Sequence, residues 1–341
     1  MARTLIGLDI GTHTIKAVQL NPQKNQPALH AAGFIPSPRP APSVDAVAFE
    51  HQLAASINHL IHDMKVSTVD VSASLPSSKV VTRIIEIPIL SDKELDSSIQ
   101  WEAEQFIPWQ LSKVKIDYAI ISSDVEKKKM KVLLVAAPLE LIEFYMRVIN
   151  QAGLNPIALE TEILSVTRSV TYSLPTVSNA VVLSFGASNI EIALLHQKKL
   201  VLTKAFPVGG NTITRALAEE LGFETMQAEE YKKTYGMDEV KLEGKIAKII
   251  SPLLSVIFTD IEKSIVYFKE QYPTEDVTTI AITGGSAKLP GLVSHITKYF
   301  GLDCQLFNPL TNLYVDPSIA SILNPDAPYY TAAIGLALKE I

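Results

Sequence analysis

The first hydrophobic pattern in the chain is a pair of apolar segments separated by a short polar turn. Residues 5–20 have the sequence LIGLDIGTHTIKAVQL, in which LIGLDI and IKAVQL flank GTHT. Short apolar segments around a glycine-containing turn are typical of a β-hairpin. Gly11 can adopt backbone angles closed to other residues, and the backbone N–H groups of Thr12, His13 and Thr14 can converge on an anion. The pattern predicts a phosphate-binding hairpin, although an ordinary edge hairpin has the same pattern.

The same arrangement returns in the second half of the chain. Residues 181–195, VVLSFGASNIEIALL, again place a glycine-centred turn between two apolar segments. The residues of this turn are Gly186, Ala187, Ser188 and Asn189. A third glycine-rich segment at 280–300, IAITGGSAKLPGLVSHITKYF, predicts a strand, a turn and a helix. The repetition indicates two similar halves.

Strands and helices are predicted to alternate between the two hairpins. In order, the predicted elements are a strand at 28–35, a proline-rich connector at 36–42, a helix at about 45–64, a strand at 69–75, an inserted segment at 77–153, a strand at 154–159 and a helix at 160–172. The inserted segment has the order strand, helix, strand, charged turn, strand, helix, which is typical of a module with its own small sheet. Its first helix is predicted to begin at a capping box formed by Ser91 and Glu94.

Three helices are predicted after the second hairpin. The first is expected to end at Gly222, and the third is long and amphipathic, at about 245–272. The last helix of the chain contains Ala332, Ala333 and Gly335, which allow close packing.

Composition limits the function classes. The length of 341 residues suggests two domains, and the 47% of hydrophobic residues suffices for a core. The net charge of −6 gives no basic surface, so we expect no nucleic-acid partner. The single cysteine, Cys304, excludes internal disulfides and is expected to be a buried small side chain. With neither a signal-peptide pattern nor an apolar run of bilayer length, we expect a soluble, cytoplasmic protein that can dock on a membrane complex.

Nucleotide binding needs anion-binding turns, a metal and a slot for the base. The two hairpin turns supply the first, and Asp9 can hold a hydrated Mg²⁺ while Lys16 places its ammonium on the same phosphate oxygens. The predicted slot has one wall of Gly284, Gly285 and Ser286 and another of Glu229, Lys232 and Lys233. The predicted nucleotide-binding residues also include Gly209, Gly210 and Lys288. The i, i+3, i+4 spacing of the second wall puts its side chains on one helix face, although a plain surface helix has the same spacing.

Two phosphate hairpins followed by a strand–GG–helix segment resemble the actin-like ATPase superfamily. The resemblance implies a two-lobed α/β fold with ribonuclease H-like halves that close on ATP and Mg²⁺. It also implies a catalytic, water-positioning acid near the start of the helix that connects the lobes, for which Glu160 and Glu162 are both candidates. The superfamily usually carries an Asp where this chain has Ser184, which can bond a metal-bound water but cannot hold charge against Mg²⁺. We therefore expect nucleotide binding with weak or absent ATPase activity.

The inserted segment narrows the resemblance to the FtsA and PilM group. Residues 100–117, QWEAEQFIPWQLSKVKID, look like the signature of the PilM family. FtsA-like proteins extend to a membrane anchor beyond the last helix, whereas this sequence ends at Ile341. The resemblance divides the chain into a first lobe, 1A, at 1–76 and 154–177, an inserted 1C-type subdomain at 77–153, a second lobe, 2A, at 178–208 and 277–341 with its final helix packing back towards the first lobe, and a mostly helical subdomain, 2B, at 209–276.

The PilM family consists of cytoplasmic components of type IV pilus or related type II secretion machines. The resemblance implies a protein peripheral to the inner membrane, which binds the N-terminal cytoplasmic peptide of PilN, contacts other pilus inner-membrane components and does not insert into the membrane. The peptide is expected in a groove between the first domain and the inserted module, near Ile87, Trp101, Phe106 and Trp109. Core packing is the alternative for each of the three aromatic side chains, and it is favoured for Trp101 and Phe106.

Two other functions stay open from the sequence. A sugar or acetate kinase of the same superfamily would need an Asp base in the cleft, for which the sequence offers no clear candidate. An FtsA-like, membrane-recruited filament former is the second alternative, because polymer contacts leave no motif and self-association is therefore compatible with the sequence.

Overall fold

The computed structural model describes residues 3–39 and 45–341. In these residues the strands are β1 (Leu5–Ile10), β2 (Thr14–Asn21), β3 (Ala28–Pro36), β4 (Asp70–Leu75), β5 (Val81–Pro88), β6 (Val114–Asp124), β7 (Lys129–Pro138), β8 (Asn155–Thr161), β9 (Ala180–Phe185), β10 (Ile190–His196), β11 (Lys199–Phe206), β12 (Thr279–Thr283) and β13 (Asp303–Leu306). The α-helices in the same residues are α1 (Ala46–Met64), α2 (Asp92–Glu104), α3 (Leu139–Gln151), α4 (Glu162–Ser173), α5 (Gly210–Leu221), α6 (Thr225–Tyr235), α7 (Lys245–Gln271), α8 (Leu292–Phe300), α9 (Pro317–Leu323) and α10 (Thr331–Ala337).

The two halves of the chain form sheets of the same topology. The strand order is β3-β2-β1-β4-β8 in the first sheet and β11-β10-β9-β12-β13 in the second. In each sheet an antiparallel three-stranded meander is extended by two parallel strands. Every residue of β1 and β9 is buried, which explains why both strands are apolar almost throughout instead of alternating. The predicted two-lobed α/β fold with similar halves is confirmed.

The inserted segment forms a separate antiparallel sheet of order β5-β7-β6. Leu95 of α2 shares a core with these strands. At the start of α2 the Ser91 backbone N–H donates to the Glu94 carboxylate at 3.0 Å, as the predicted capping box requires. The helix α3, which the prediction includes in this module, packs on the first sheet instead, where Val148 and Ile149 join the core of β1, β4 and α1.

The strand that returns to the first sheet is longer than predicted. β8 includes Glu160 and ends at Thr161, so α4 begins at Glu162 and not at residue 160. Glu160 therefore lies in a strand and Glu162 in the first turn of a helix. α4 contacts strands of both five-stranded sheets and so connects the two lobes.

The second lobe buries three helices against its sheet. Ile213 of α5, Ala228 of α6 and Ile250 of α7 belong to one core with β9, β10 and β12. α5 ends at Gly222 in a left-handed conformation, as predicted. Among the described residues, no helix combines the length and the apolar character that crossing a membrane requires.

The last helix, α10, packs at close range on the first lobe. A Cβ atom added at Gly335 would collide with the carbonyl oxygen of Ser165 in α4, and one added at Gly7 in β1 would collide with the carbonyl oxygen of Ala333. These small residues let the backbones of α10, α4 and β1 approach one another. The predicted close packing of the final helix is confirmed.

Candidate functional site

A cavity of about 410 Å³ lies between the two lobes. Its walls come from both hairpin turns, the starts of α4 and α5, one side of α6 and the turn after β12. Of the predicted nucleotide-binding and metal-binding residues, all except Gly209 line this cavity. A Cβ atom at Gly209 would lie 2.7 Å from the carbonyl oxygen of Ala187, so this glycine supports the second turn from behind. The volume suits a small-molecule ligand.

The two hairpin turns have the same internal hydrogen bond. The backbone N–H of Gly11 donates to the carbonyl of Thr14 at 3.1 Å, and that of Gly186 donates to the carbonyl of Asn189 at 2.9 Å. The sequence duplication is therefore a duplication of backbone geometry as well.

The turns meet at the mouth of the cavity. The hydroxyl oxygens of Thr12 and Ser188 lie 2.7 Å apart. Beside them, Nδ1 of His13 is 3.1 Å from a guanidinium nitrogen of Arg39, which lies within the proline-rich connector. Burial and the charge of Arg39 lower the pKa of His13, so the ring is neutral at pH 7 and Arg39 supplies the cation at this edge.

Asp9 and Lys16 form a buried ion pair at the floor of the cavity. Oδ2 of Asp9 accepts a hydrogen bond from Lys16 Nζ at 2.8 Å, and Oδ1 accepts one from Ser74 Oγ at 3.1 Å. Burial disfavours the charge on Lys16, but the charge and hydrogen bond of Asp9 outweigh it, and the pKa of Lys16 is raised. Lys16 therefore keeps its positive charge where phosphates would bind.

Glu162 is the candidate acid that faces the cavity. Burial raises the pKa of its carboxyl group well above the usual range, and the charges of Glu191 and Asp9 add to this effect. Its Oε1 is 3.5 Å from the hydroxyl of Ser184. A carboxyl group with a raised pKa in a cleft is suited to proton transfer or to binding a cation.

Glu191 lies next to the cavity without lining it, and the sequence reasoning missed it. It lies on β10 directly opposite Ser184 in β9, is 2% exposed, and its Oε2 has no hydrogen-bond partner among the described residues. Burial raises its pKa to about 7, with a contribution from Asp9. The available signal was a single charged residue within the apolar segment IEIALL.

Glu160 belongs to a different environment. Its carboxylate accepts hydrogen bonds from Arg168 and from Lys339 at 2.8 Å, and it does not line the cavity. Burial opposes its ionisation, but the hydrogen bonds and charges of the two cations lower its pKa. Of the two acids that the sequence left open, the structure brings Glu162 to the cavity and uses Glu160 to tie α4 to the end of the chain.

The structure brings the residues of both predicted walls of the base slot to the same cavity. Glu229 accepts hydrogen bonds of 2.6 Å from Thr214 and from Lys232. Although burial opposes its ionisation, these bonds lower the pKa of Glu229 to about 2, so a fixed carboxylate faces the cavity. A Cβ atom at Gly210 would collide with the hydroxyl of Ser286, so this glycine lets the two walls approach.

Tyr329 adds an aromatic wall that the sequence reasoning also missed. It lines the cavity, and a Cβ atom at Gly285 would lie 3.4 Å from its ring. The ammonium of Lys288 is 5.8 Å from the ring centroid and 2.6 Å from a carboxylate oxygen of Asp326. The signal was weak, because Tyr329 precedes the last helix among residues with no phosphate-binding pattern.

The four side chains predicted to face a partner peptide differ in exposure. Ile87 is 4% exposed and packs in the core of the inserted sheet, so little of its side chain is available to a peptide. Trp101 is 63% exposed, which overturns its predicted core packing. Phe106 and Trp109 are partly buried against the module core, with the guanidinium of Arg83 lying 4.6 Å from the Phe106 ring centroid.

One protein family matches almost the whole length of the chain. The family model described as "Type IV pilus assembly protein PilM" matches residues 7–341. A solved structure, the "PilM-PilN type IV pilus biogenesis complex", is similar with a TM-score of 0.84 and 26% identity, covering 100% of this chain and 99% of that chain. The structure of MreB5 of Spiroplasma citri bound to AMPPNP shares the fold, with a TM-score of 0.52 and 14% identity over 98% of this chain and 95% of that chain.

Curated relatives are more distant and match part of the chain. The cell division protein FtsA of Enterococcus hirae is 24% identical over 184 residues, which are 48% of this chain and 39% of the relative. FtsA of Streptococcus pneumoniae is 24% identical over 213 residues, covering 58% and 47%. The match thus spans less than half the length of these curated relatives.

Proposed function

The chain belongs to the PilM family of type IV pilus assembly proteins, and on this premise we propose that it binds ATP between its lobes and takes part in a pilus inner-membrane assembly. The observation that carries the proposal is the pair of hairpin turns that face each other across the cavity, with Thr12 and Ser188 in hydrogen-bond contact. Backbone N–H groups in such turns favour anions. A nucleotide with its phosphates between the turns would touch both lobes and so hold them together.

The other parts of the site fit the rest of a nucleotide. Lys16 is charged and lies beside Asp9 on the cavity floor, where phosphate oxygens would come within its reach. Glu229 is ionised and fixed by Lys232 and Thr214, a geometry suited to accept hydrogen bonds from ribose hydroxyls. The ring of Tyr329 and the backbone of Gly285 offer flat surfaces for a base.

The residues below the phosphate site fit a hydrated Mg²⁺. Glu191 has an orphaned, buried carboxylate oxygen, and the charges of Glu191 and Asp9 act on Glu162 in the same region, so a cation there would favour the ionised form of Glu162. Mg²⁺ keeps several waters and commonly binds through one or two carboxylates and substrate phosphates. Bound there, it would neutralise phosphate charge. Asp9 and Glu162 line the cavity and would orient its waters, while Glu191 lies opposite Ser184 on the neighbouring strand and does not line the cavity.

A partner peptide is the second part of the proposed function. The similar structure is a complex of PilM with PilN, and we propose the N-terminal cytoplasmic segment of a PilN protein as the partner of this chain, which would keep it in the cytoplasm at the inner membrane. Trp101, which is 63% exposed, is the side chain best placed to contribute. Exposed tryptophans dominate many binding interfaces.

Nucleotide binding is tested by calorimetric titration of the purified protein with ATP and Mg²⁺, and by mass spectrometry of any nucleotide released on denaturation. We expect saturable binding that Lys16→Met weakens at least about tenfold, because a charge-assisted hydrogen bond to phosphate contributes about 1.5–3 kcal/mol. Lys24→Met, which removes an exposed lysine outside the cavity, is the matched control and should bind as the wild type does. Absence of ATP binding by the folded wild-type protein would refute this part of the proposal.

Partner binding is tested by titration with a synthetic peptide of the PilN N-terminus, with and without ATP. Trp101→Ala should weaken binding at least about tenfold, as expected for loss of an aromatic anchor. The matched control is Tyr314→Ala, which removes an aromatic side chain that is 54% exposed and lies beside Ala28 of the first sheet, outside the inserted module. A wild-type protein that shows no saturable peptide binding in either nucleotide state would remove PilN as the partner while leaving the nucleotide site untouched.

A further inference from the structure

A second cavity, of about 400 Å³, lies between the inserted module and the second lobe. One wall is formed by the β6–β7 hairpin of the module and includes Ser122 and Lys131. The opposite wall is formed by the β10–β11 hairpin and the end of α7 and includes Lys199 and Tyr272. The cavity is separate from the nucleotide site, and nothing in the proposed function uses it.

The charge in this cavity is positive, although the chain as a whole carries −6. Its lining contains four lysines, which are Lys127, Lys129, Lys131 and Lys199. Lys127 is paired with Asp124 at 3.6 Å and Lys129 with Glu86 at 2.6 Å. Lys131 and Lys199 have no ion pair with any carboxylate whose side chain the structure describes. Two ammonium groups on the facing walls are thus left without a counter-charge.

The ammonium of Lys131 is nevertheless held in place. Its Nζ donates to the hydroxyl of Tyr272 at 3.2 Å and lies 5.3 Å from the centre of the same ring. The ring of His196 stacks on Tyr272 with centroids 3.6 Å apart, and its Nε2 lies 2.9 Å from the carboxylate of Glu275. The hydroxyl and the ring of Tyr272 thus hold the Lys131 ammonium in place, and no described carboxylate is paired with it.

We propose that this cavity binds a phosphate-bearing small molecule, whose oxyanion bridges Lys131 and Lys199. A phosphate group carries enough acceptor oxygens and charge to bond both ammonium groups and the hydroxyl of Ser122 at once. The volume lies within the range of small-molecule sites and exceeds that of one phosphate group, which leaves room for an organic part. Because Lys131 belongs to the inserted module and Lys199 to the second lobe, the bound anion fastens the module to that lobe.

The test uses pyrophosphate as the probe and the full-length protein saturated with AMPPNP and Mg²⁺, with equal free Mg²⁺ in both solutions. Calorimetric titration of the wild type should show saturable binding that remains when the nucleotide cleft is filled. Lys131→Met with Lys199→Met should weaken this binding at least tenfold, because both charge-assisted bonds are lost. The matched control is Lys24→Met with Lys263→Met, which removes two exposed lysines outside the cavity and should leave the affinity unchanged.

Three results would overturn the proposal. The first is absence of pyrophosphate binding to the AMPPNP-saturated wild type. The second is equal affinity of the Lys131/Lys199 variant and the control variant, which would place the probe elsewhere. The third is binding of a triglutamate peptide that is at least as tight as that of pyrophosphate and is lost in the Lys131/Lys199 variant, because the cavity would then recognise carboxylates of a polypeptide.

Discussion

Replacing Glu191 by glutamine should stabilise the protein at alkaline pH. Glu191 is 2% exposed, and its Oε2 lacks a hydrogen-bond partner among the described residues. Burial raises its pKa from 4.5 to about 7. Glutamine has nearly the same shape and cannot ionise, so Glu191→Gln removes the cost of a buried charge and keeps the packing.

The pKa shift gives the size and the sign of the effect. Below pH 4.5 the carboxyl group is protonated in both the folded and the unfolded chain, so it does not lower the free energy of unfolding. As the pH rises from 4.5 to 7 the unfolded chain gives up this proton first, so the free energy of unfolding falls. Each pKa unit corresponds to about 1.4 kcal/mol, so the full loss above pH 7 is about 3 kcal/mol. Glu191→Gln has no ionisable group at this position, so its free energy of unfolding at pH 8 should be about 3 kcal/mol higher than that of the wild type.

The assay is urea unfolding followed by circular dichroism at pH 4.5 and pH 8, without nucleotide or Mg²⁺. With a slope near 3 kcal/mol per M, the midpoint of Glu191→Gln should lie roughly 1 M above that of the wild type at pH 8 and coincide with it at pH 4.5. Glu220→Gln, which changes an exposed glutamate on α5, should follow the wild type at both pH values. A Glu191→Gln midpoint equal to the wild type at pH 8, or raised equally at both pH values, would refute the reasoning.

Three further outcomes are expected. Glu160→Gln should lower the free energy of unfolding by about 3 kcal/mol, since it leaves two cations without their carboxylate, while ATP affinity of the folded protein stays unchanged in calorimetry. Gly284→Ala should lower the melting temperature more than Gly301→Ala, because both glycines have positive φ but a Cβ at Gly284 also meets the Phe185 carbonyl oxygen at 2.6 Å, whereas Gly301 faces open space. Steady-state ATPase activity should stay near background in a coupled assay, because Ser184 supplies no charge, and a turnover of about 1 s⁻¹ would contradict this.

The sequence by itself determined the duplicated hairpins and their role as the centre of each lobe. Apolar segments around a glycine-centred turn have few other ways to bury their side chains and satisfy their backbone, and the repetition of the pattern made two similar sheets the expected result. The capping box at Ser91 and the close packing around Gly335 were also predictable, because the first depends on local backbone geometry and the second on side-chain size.

Only the tertiary structure decided which acids belong to the cleft. Extending β8 to Thr161 puts Glu160 and Glu162 in different elements, and a pattern cannot locate a strand end to one residue. Glu191 reached the site through its pairing partner Ser184 on the neighbouring strand, which depends on sheet register. Likewise, Ile87 is buried in the core that α2 and the inserted sheet share, whereas Trp101 of α2 lies outside that core and is exposed. The local pattern fixes which side chains are apolar or charged, whereas their surroundings arise from contacts between segments far apart in the chain.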